Sequence, residues 1–525
     1  MKGTWKKYLF MGVFAVAMFL SAGLPVSAKT KKVIDVTIDP GATDKQATKA
    51  IQAALDEAKD DNSNNTEYVI NLPKGTYGIV NVLKVYSNTT IKMNGCTLKR
   101  GANKTVLRFG LEETVHSGYN GEHDITIEGG TFDGDGKDRK CSAGIVRIGH
   151  AKNITFKNVV FQNVYDSHQL ELAACENVLI DNCTFKDFYG KKKDLTNAAN
   201  NEALQFDIIH NAEHFPKYPS FDDTPCRNVT VSNCTFSNLQ RGVGTHSAVA
   251  GSYFTNMVFK NNTFTDIRGY AIMATNYRNS EISGNTLKKC GAGIIFRSMI
   301  YGYSNFYKPL KGKVSIQNDA KSKITNNVVQ ISDNKYKVTP YGISLYGENV
   351  TSKKKDVPKG NYILKGVTIS GNKITMNNRG YGIWLQGSNN CKVSNNTVTM
   401  SIAASVSGKG NGDCIRLVKS KKNQITNNVL TQKKNNKKTK VACGIVVYLN
   451  SSATIKNNKI NSSPKDGVHV VSKSSATVTS NTIKKCGRYG VFSNEKSTVT
   501  AKKNKISKAK QGKLQASSNS KLKKK

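Results

Sequence analysis

The chain has 525 residues, 38% of them hydrophobic, and carries 78 Lys and Arg against 36 Asp and Glu, a net charge of +42. Such a field favours polyanionic partners, unless lysines scattered through exposed turns only keep the surface soluble. The eleven cysteines include no Cys-x-x-Cys pair, so neither a zinc nor a redox motif is expected, and beyond the N-terminal region no segment is apolar enough to span a bilayer.

Residues 1–28 read as an export signal: Lys2, Lys6 and Lys7, the apolar run Tyr8 to Leu20, then Val26-Ser27-Ala28 with small residues at the cleavage positions. Cutting behind Ala28 leaves a secreted chain of charge +39, with neither a lipid-attachment cysteine nor a hydrophobic tail, so that free release or retention on the cell wall by charge remains. For an exported protein nucleic acid is set aside as the polyanion. Acidic polysaccharide or an anionic wall is left, and the protein is expected to be monomeric.

Residues 29–66 form a cap segment. From Thr43 or Asp44, Ala47, Ile51, Ala54 and Leu55 recur at helical spacing behind a capping residue, and Asn71-Leu-Pro-Lys-Gly-Thr-Tyr77 then opens the first strand. This helix is placed over the open end of the fold, where an unpaired strand edge would invite aggregation.

Residues 67–506 repeat. An element of the form apolar-x-Asn-Asn-Thr-apolar returns about a dozen times from Ile127 to Ile506, clearest in Phe259-Lys-Asn-Asn-Thr-Phe264, Val393-Ser-Asn-Asn-Thr-Val398 and Ile425-Thr-Asn-Asn-Val-Leu430. The copies at Ile460, Ile483 and Ile506 lie 23 residues apart. A second element, Gly-[Ile/Val]-x-apolar, recurs as Gly342-Ile-Ser-Leu345, Gly382-Ile-Trp-Leu385, Gly444-Ile-Val-Val447 and Gly467-Val-His-Val470. Both alternate apolar with polar residues, the period of a half-buried strand. No amphipathic helix separates them, so each unit is a coil of short strands joined by tight turns, and the fold class is an all-β, single-stranded parallel β-helix solenoid. The Ser/Lys/Gln-rich residues 507–525 are expected to be a basic, disordered tail.

Cys175 with Cys226, and Cys183 with Cys234, share repeat positions, which favours reduced cysteines in an interior ladder over a disulfide framework. Asp133-Gly-Asp135-Gly-Lys137-Asp138 begins like a calcium loop, but Lys137 and Gly144 stand where ligands are required, so it reads as a turn.

The phrases Ala50-Ile51-Gln52-Ala-Ala-Leu55, Leu72-Pro73-Lys-Gly75-Thr76-Tyr77 and Gly130-Thr-Phe-Asp133-Gly134-Asp-Gly136, with the Asn-rich coils, resemble the bacterial pectate-lyase-like superfamily, which includes polygalacturonases. The resemblance implies a right-handed helix with an N-terminal capping helix. It leaves activity open among lyases, hydrolases, epimerases and non-catalytic surface proteins. Three of the four polygalacturonase motifs are absent, and Asp60-Asp61 and Asp222-Asp223 fall in loops.

Aligning the second strand element coil by coil turns Leu170 and Leu172, Leu204 and Phe206, Val243 and Thr245, Ile272 and Ala274, Ile294 and Phe296 inward. On the opposite, solvent-facing side fall Glu171, Gln205, Asp207, His246, Thr275 and Arg297, with Asp166, His168, Glu202 and Arg241 at the strand entry. With coils about 4.8 Å apart, Asp207 and His246 are expected near contact and Arg297 roughly 10 Å farther along. The long loops Lys191 to Asn201, His210 to Tyr218 and Met299 to Tyr307 interrupt the repeat beside this cluster, where function tends to sit.

Two chemistries fit. In glycoside hydrolysis, Asp207 is the acid, Glu202 or Glu171 its partner, and His246 tunes it. In β-elimination, Asp207, Glu171 and Glu202 hold Ca²⁺ and Arg297 or His246 is the base. The order of carboxylate, histidine and basic coils is similar to that of polygalacturonases and favours hydrolysis. His168, Arg241, Tyr277, Tyr346 and Trp384 are the candidate substrate contacts, the aromatics by stacking on sugar faces. The competing readings are an Asp207–His246 surface ion pair on a solvated face, and a non-catalytic adhesin-like protein that binds anionic glycans through its lysines.

Overall fold

The computed structural model describes residues 29–61, 63–191, 201–299, 305–312, 314–331, 338–351, 357–377, 380–401, 411–433 and 441–524. The export signal, Tyr301, Tyr303 and the lysines at 192–193 and 353–355 lie outside them.

The Asn-Asn pair makes a corner with two different jobs. Strand Phe254–Lys260 ends at Asn261, whose φ of 58° turns the chain through the left-handed region that Asn tolerates better than most side chains, and strand Thr263–Ile267 follows. Asn262 between them is fully buried. Its Nδ2 donates to Val231 O of the preceding coil and to Asn285 Oδ1 of the next, each at 3.0 Å, while its Oδ1 accepts from Cys234 N at 2.9 Å. The same bond continues through Asn285, Asn327, Asn372, Asn396, Asn428, Asn458, Asn481 and Asn504 at 2.9–3.0 Å. Cys183 and Cys234 occupy the head of this column, and all eleven cysteines are free and buried.

Among the described residues each coil thus contributes to three long sheets, of 18, 15 and 15 strands, with the Asn corner between the first and second. Pairing along them is parallel and in register, as in the third sheet where Ile343, Ile383, Ile415, Ile445, Val468 and Val491 follow one another. The alternate apolar residues therefore form one continuous core, in which Phe132, Phe161, Phe185, Phe236 and Phe264 stack at 4.6–5.4 Å. Glycine precedes the third sheet because the backbone passes so close: a Cβ on Gly444 would lie 2.6 Å from Gly467 O.

The cap segment opens with a strand, Thr30–Asp35, that adds a rung to the first sheet beside Thr66–Asn71. Helix α1 (Asp44–Asp56) starts at Thr43 with a capping box to Gln46. Its Ile51, Ala54 and Leu55 enter the main core, and Thr48 and Gln52 bond the backbone of Gly78 and Lys84, so the helix lies across the first strands of the second and third sheets. The C-terminal end corrects the expectation of disorder from 507. Lys505–Ala509, Gly512–Ala516 and Lys521–Lys524 form a further coil paired on the one before. Its lysines sit on outward positions while Ile506, Leu514 and Leu522 keep the alternation, which composition alone hides.

Asn396→Ala should strand the Asn372 N–H groups and the Ile369 carbonyl, costing about 1–3 kcal/mol for each unsatisfied buried group. Asn395→Gly, at the exposed left-handed corner (φ 57°), should cost little. Urea unfolding of the two variants checks the difference.

Candidate functional site

Strands Leu170–Ala173, Glu202–Asp207, Arg241–Gly244, Tyr270–Thr275 and Ala292–Arg297 are successive rungs of the third sheet. Their register sets Glu171 beside Gln205, Ala173 beside Asp207, Glu202 beside Arg241 and Thr275 beside Arg297. The inward residues lie in the core as expected, Thr245 being tied to Phe206 O and the Tyr277 hydroxyl.

The opposite face is not solvated. Glu171, Glu202, Asp207, His246, His168, Arg241 and Arg297 are all buried, Glu202 completely. The segment 208–226 folds back as a roof: Ile209, Phe215 and Tyr218 pack on Ala173 and Ala174 of the sheet. Asp223 holds the roof by accepting from His210 Nδ1 at 2.6 Å and Leu310 N at 2.7 Å, and the His210 ring stacks on Tyr307 with centroids 4.4 Å apart. The surface ion-pair reading is thereby removed.

Nor do Asp207 and His246 pair with each other. Glu202 takes His246 Nδ1 on Oε2 at 2.7 Å and Arg241 Nη1 on Oε1 at 3.0 Å. Burial pushes Glu202 up, but the His246 and Arg241 charges outweigh it and hold this carboxyl well below the usual range. By the same bond His246 is raised, although its burial acts the other way. His168 stacks on His246 at 5.7 Å, its Nδ1 2.6 Å from Glu202 O, and burial lowers it. Glu171 is lowered too: Arg147 Nε donates to it at 2.5 Å, which overcomes burial. Among the described residues Asp207 has no cation in bonding range. It accepts only from Gln205 Nε2 at 2.5 Å and Ile208 N at 2.8 Å, and burial pushes it up to about 7.

The other expected residues divide. Arg297 donates through Nε to Thr275 Oγ1 at 2.8 Å and is followed on the next rung by Tyr346. Trp384, five coils beyond Asp207 or about 24 Å, is half-buried with Tyr381 at 4.4 Å and Tyr341 at 5.6 Å. Tyr277 is no substrate contact: it is fully buried in the core against Phe254, Phe259 and Phe296, because it begins the first-sheet strand rather than ending the third. Asp207, Glu171 and Glu202 do not make a calcium cage, since two are matched by Arg147, Arg241 and His246 and the third is held near neutrality. His168, Glu202 and His246 do offer ligand atoms within 4.8 Å of one another, with Arg241 on the shared carboxylate.

Arg147 was missed, although the alternation Val146-Arg147-Ile148 puts it one coil before Glu171 in the same column. It also lines a cleft of about 420 Å³ with Lys104, Arg108, Glu112, Lys217 and Tyr218, a basic recess next to the buried acids.

The family model for a right handed β-helix region matches residues 115–287, 226–434 and 358–524. The chain belongs to this family. Plasmin and fibronectin-binding protein A of Streptococcus pneumoniae is 26% identical over 317 residues, 55% of this chain and 44% of that protein, so the match spans less than half of the relative. The chain aligns with two solved structures. The S. pneumoniae surface protein and adhesin PfbA aligns over 94% of this chain and all of its own at 20% identity, TM-score 0.45. The tailspike of E. coli bacteriophage HK620, in complex with a pentasaccharide, aligns over 93% of this chain and 78% of its own at 12% identity, TM-score 0.54. Among the described residues no helix is long and apolar enough to cross a membrane.

In this right-handed β-helix the Glu202 triad is a structural prediction in itself. Glu202→Gln removes the carboxylate that Arg241 and His246 share in a buried site and should cost about 3–5 kcal/mol at neutral pH. The stability from Glu202, whose pKa is depressed, is present above the ordinary 4.5 and lost as pH falls through its lowered value. That from His246, whose pKa is raised, is present below 6.5 and lost as pH rises through its raised value. Thermal melts of wild type and variant across pH, with the His246 resonances followed by NMR, should show a lower His246 pKa in the variant.

Proposed function

We propose that this protein is an exported carbohydrate-active enzyme that hydrolyses glycosidic bonds in an acidic, uronate-containing polysaccharide. The carrying observation is the contrast between two buried carboxyls on adjacent coils: Asp207 is pushed up to about 7, whereas Glu171 is kept ionised by Arg147. Environments that push two acids apart in this way suit one to donate a proton and the other to act as base or nucleophile. One coil and two residues of strand separate their Cα atoms, about 8 Å, and hydrolytic pairs span about 5–9.5 Å between carboxyls. Asp207 protonates the glycosidic oxygen, Glu171 activates water or attacks directly, and Glu202 keeps His246 cationic beside them. The cleft with Arg108, Arg147, Lys104 and Lys217 supplies positive charge for uronate carboxylates. Substrate reaches the acids when the 208–226 roof lifts, which breaks the Leu310 N to Asp223 bond, the His210 stack on Tyr307 and the small apolar contact on Ala173. Elimination has weaker support, because Arg297 is tied to Thr275 and the carboxylates do not gather for calcium.

A second reading, non-catalytic adhesion to anionic glycans, is favoured by the likeness to the plasmin and fibronectin-binding protein. Asp207→Asn separates the two. Incubated with uronate-containing and neutral glycans, with reducing ends and the ultraviolet absorbance of unsaturated products followed together, the wild type should release reducing ends only. The variant should lose about 10²-fold to 10⁴-fold in turnover while melting no lower than wild type, since the carboxyl it removes is unmatched. Activity should fall as pH rises through about 7, where Asp207 loses its proton, and the acid limb should lie below pH 4.5, where Glu171 gains one. Absence of turnover on every glycan, with salt-sensitive binding that ignores Asp207→Asn, would transfer the assignment to adhesion.

A further inference from the structure

Seven to eight coils past Asp207 the same face of the third sheet carries a second buried polar cluster. Cys443 and Asp466 each stand two residues before the register pair Ile445 and Val468, and His469 follows Val468, so three potential ligands meet on adjacent coils. Cys443 is 2% exposed, Asp466 0% and His469 8%. Cys443 Sγ lies 4.0 Å from Asp466 Oδ2, which lies 3.6 Å from His469 Nδ1, and ligand atoms of all three fall within 4.8 Å of one another. Tetrahedral zinc with bonds of about 2.0–2.3 Å needs ligand edges of about 3.3–3.8 Å, so side-chain shifts of up to about 1 Å close the set.

We propose that Cys443, Asp466 and His469 form a binding site for a borderline-soft divalent cation of the zinc type. Two observations carry it besides proximity. Cys443 packs with Val446, Val471 and Tyr448 outside the solenoid core, whereas Cys414 and Cys486 on neighbouring coils belong to the core. Among the described residues no hydrogen bond holds the His469 ring: Nε2 is buried without a partner and Nδ1 stands 3.6 Å from Asp466 Oδ2, beyond bonding distance, so the imidazole has a lone pair to offer. In the metal-free protein Arg488 supplies the positive charge, donating to both Asp466 oxygens, at 2.9 Å from Nε and 2.5 Å from Nη2. Its side chain is 26% exposed and can turn to solvent when an ion arrives. Thiolate and carboxylate together offset the two charges of the cation. The Cys443 S–H bond breaks, its proton leaves to solvent, the sulfur–metal bond forms, and the neutral His469 releases nothing, so one proton appears per ion. Water completes the fourth position. This sulfur, oxygen and nitrogen set suits zinc better than calcium or magnesium, which take oxygen ligands.

The test uses the full mature chain, freed of metal with a chelator and titrated with Co²⁺ and then Zn²⁺. The expected result is one Co²⁺ per chain with a near-ultraviolet thiolate-to-metal band, displaced by Zn²⁺ with one proton released. Cys443→Ser should abolish the band, His469→Gln should weaken binding at least about 10-fold, and Cys414→Ser, altering a core thiol, should change neither. Arg488→Gln removes the competing cation and should tighten binding, which keeps the proposal testable if the ligand variants fold poorly. No bound Co²⁺, a band that survives Cys443→Ser, binding without a thiolate band, or weaker binding in Arg488→Gln would each overturn the assignment.

Discussion

Everything in this molecule hangs on the bond from one coil to the next. The backbone pairs in register at a pitch of about 4.8 Å, and the buried asparagine column repeats that pitch with a carboxamide in place of a peptide group. A corner in a parallel helix would otherwise strand one N–H and one C=O per coil inside the protein. Each ladder Asn serves both and is itself satisfied by the Asn above, so the cost of burying a polar side chain is offset by the groups it rescues. Cys183 and Cys234 at the head of the column are the limiting case, in which a thiol fills the space and makes only the long bonds that sulfur allows.

The same rigidity explains how ionisable groups survive on the outward face. On an open sheet Glu171, Glu202 and Asp207 would be hydrated and unremarkable. The roof removes that water, so each carboxyl takes on a character dictated by its neighbour one coil away: Arg147 for Glu171, Arg241 and His246 for Glu202, and, among the described residues, no cation for Asp207. The scaffold supplies position and the loops supply the dielectric.

This division also marks what the sequence could disclose. Repeat spacing and alternation are local, and from them the coil, the inward residues and the alignment of Glu171 with Gln205 and Glu202 with Arg241 were legible. Burial of the outward face was not, because Phe215 and Tyr218 sit in a segment with no periodicity to show that it folds back. Tyr277 was misplaced for a related reason: the strand Tyr270–Thr275 ends and the first-sheet strand begins within two residues, so alternation continued across the corner reverses the side on which the tyrosine falls. The tail misled through composition, since a coil whose outward positions are mostly lysine reads as disordered unless its few inward residues are counted. His469 stands alone on its outward strand position, and only stacking brings Cys443 of the coil before to it and Asp466.

Stacking also restricts the chemistry available. On one face of a β-helix, separations between side-chain attachment points come in steps: about 4.8 Å for the same position on the next coil, and about 8 Å when the position also shifts by two residues. Two acids at the shorter step would share a proton or repel. At the longer step each can take its own partner, as Glu171 does with Arg147, leaving the other to be raised by burial first and by the neighbouring carboxylates second. A hydrolytic pair needs this combination of spacing and unequal environment, and a metal site needs the reverse, with ligands at the shorter step. The Asp207 region and the Cys443 region are the two outcomes of one lattice, and what distinguishes them is the residue that stands one coil before.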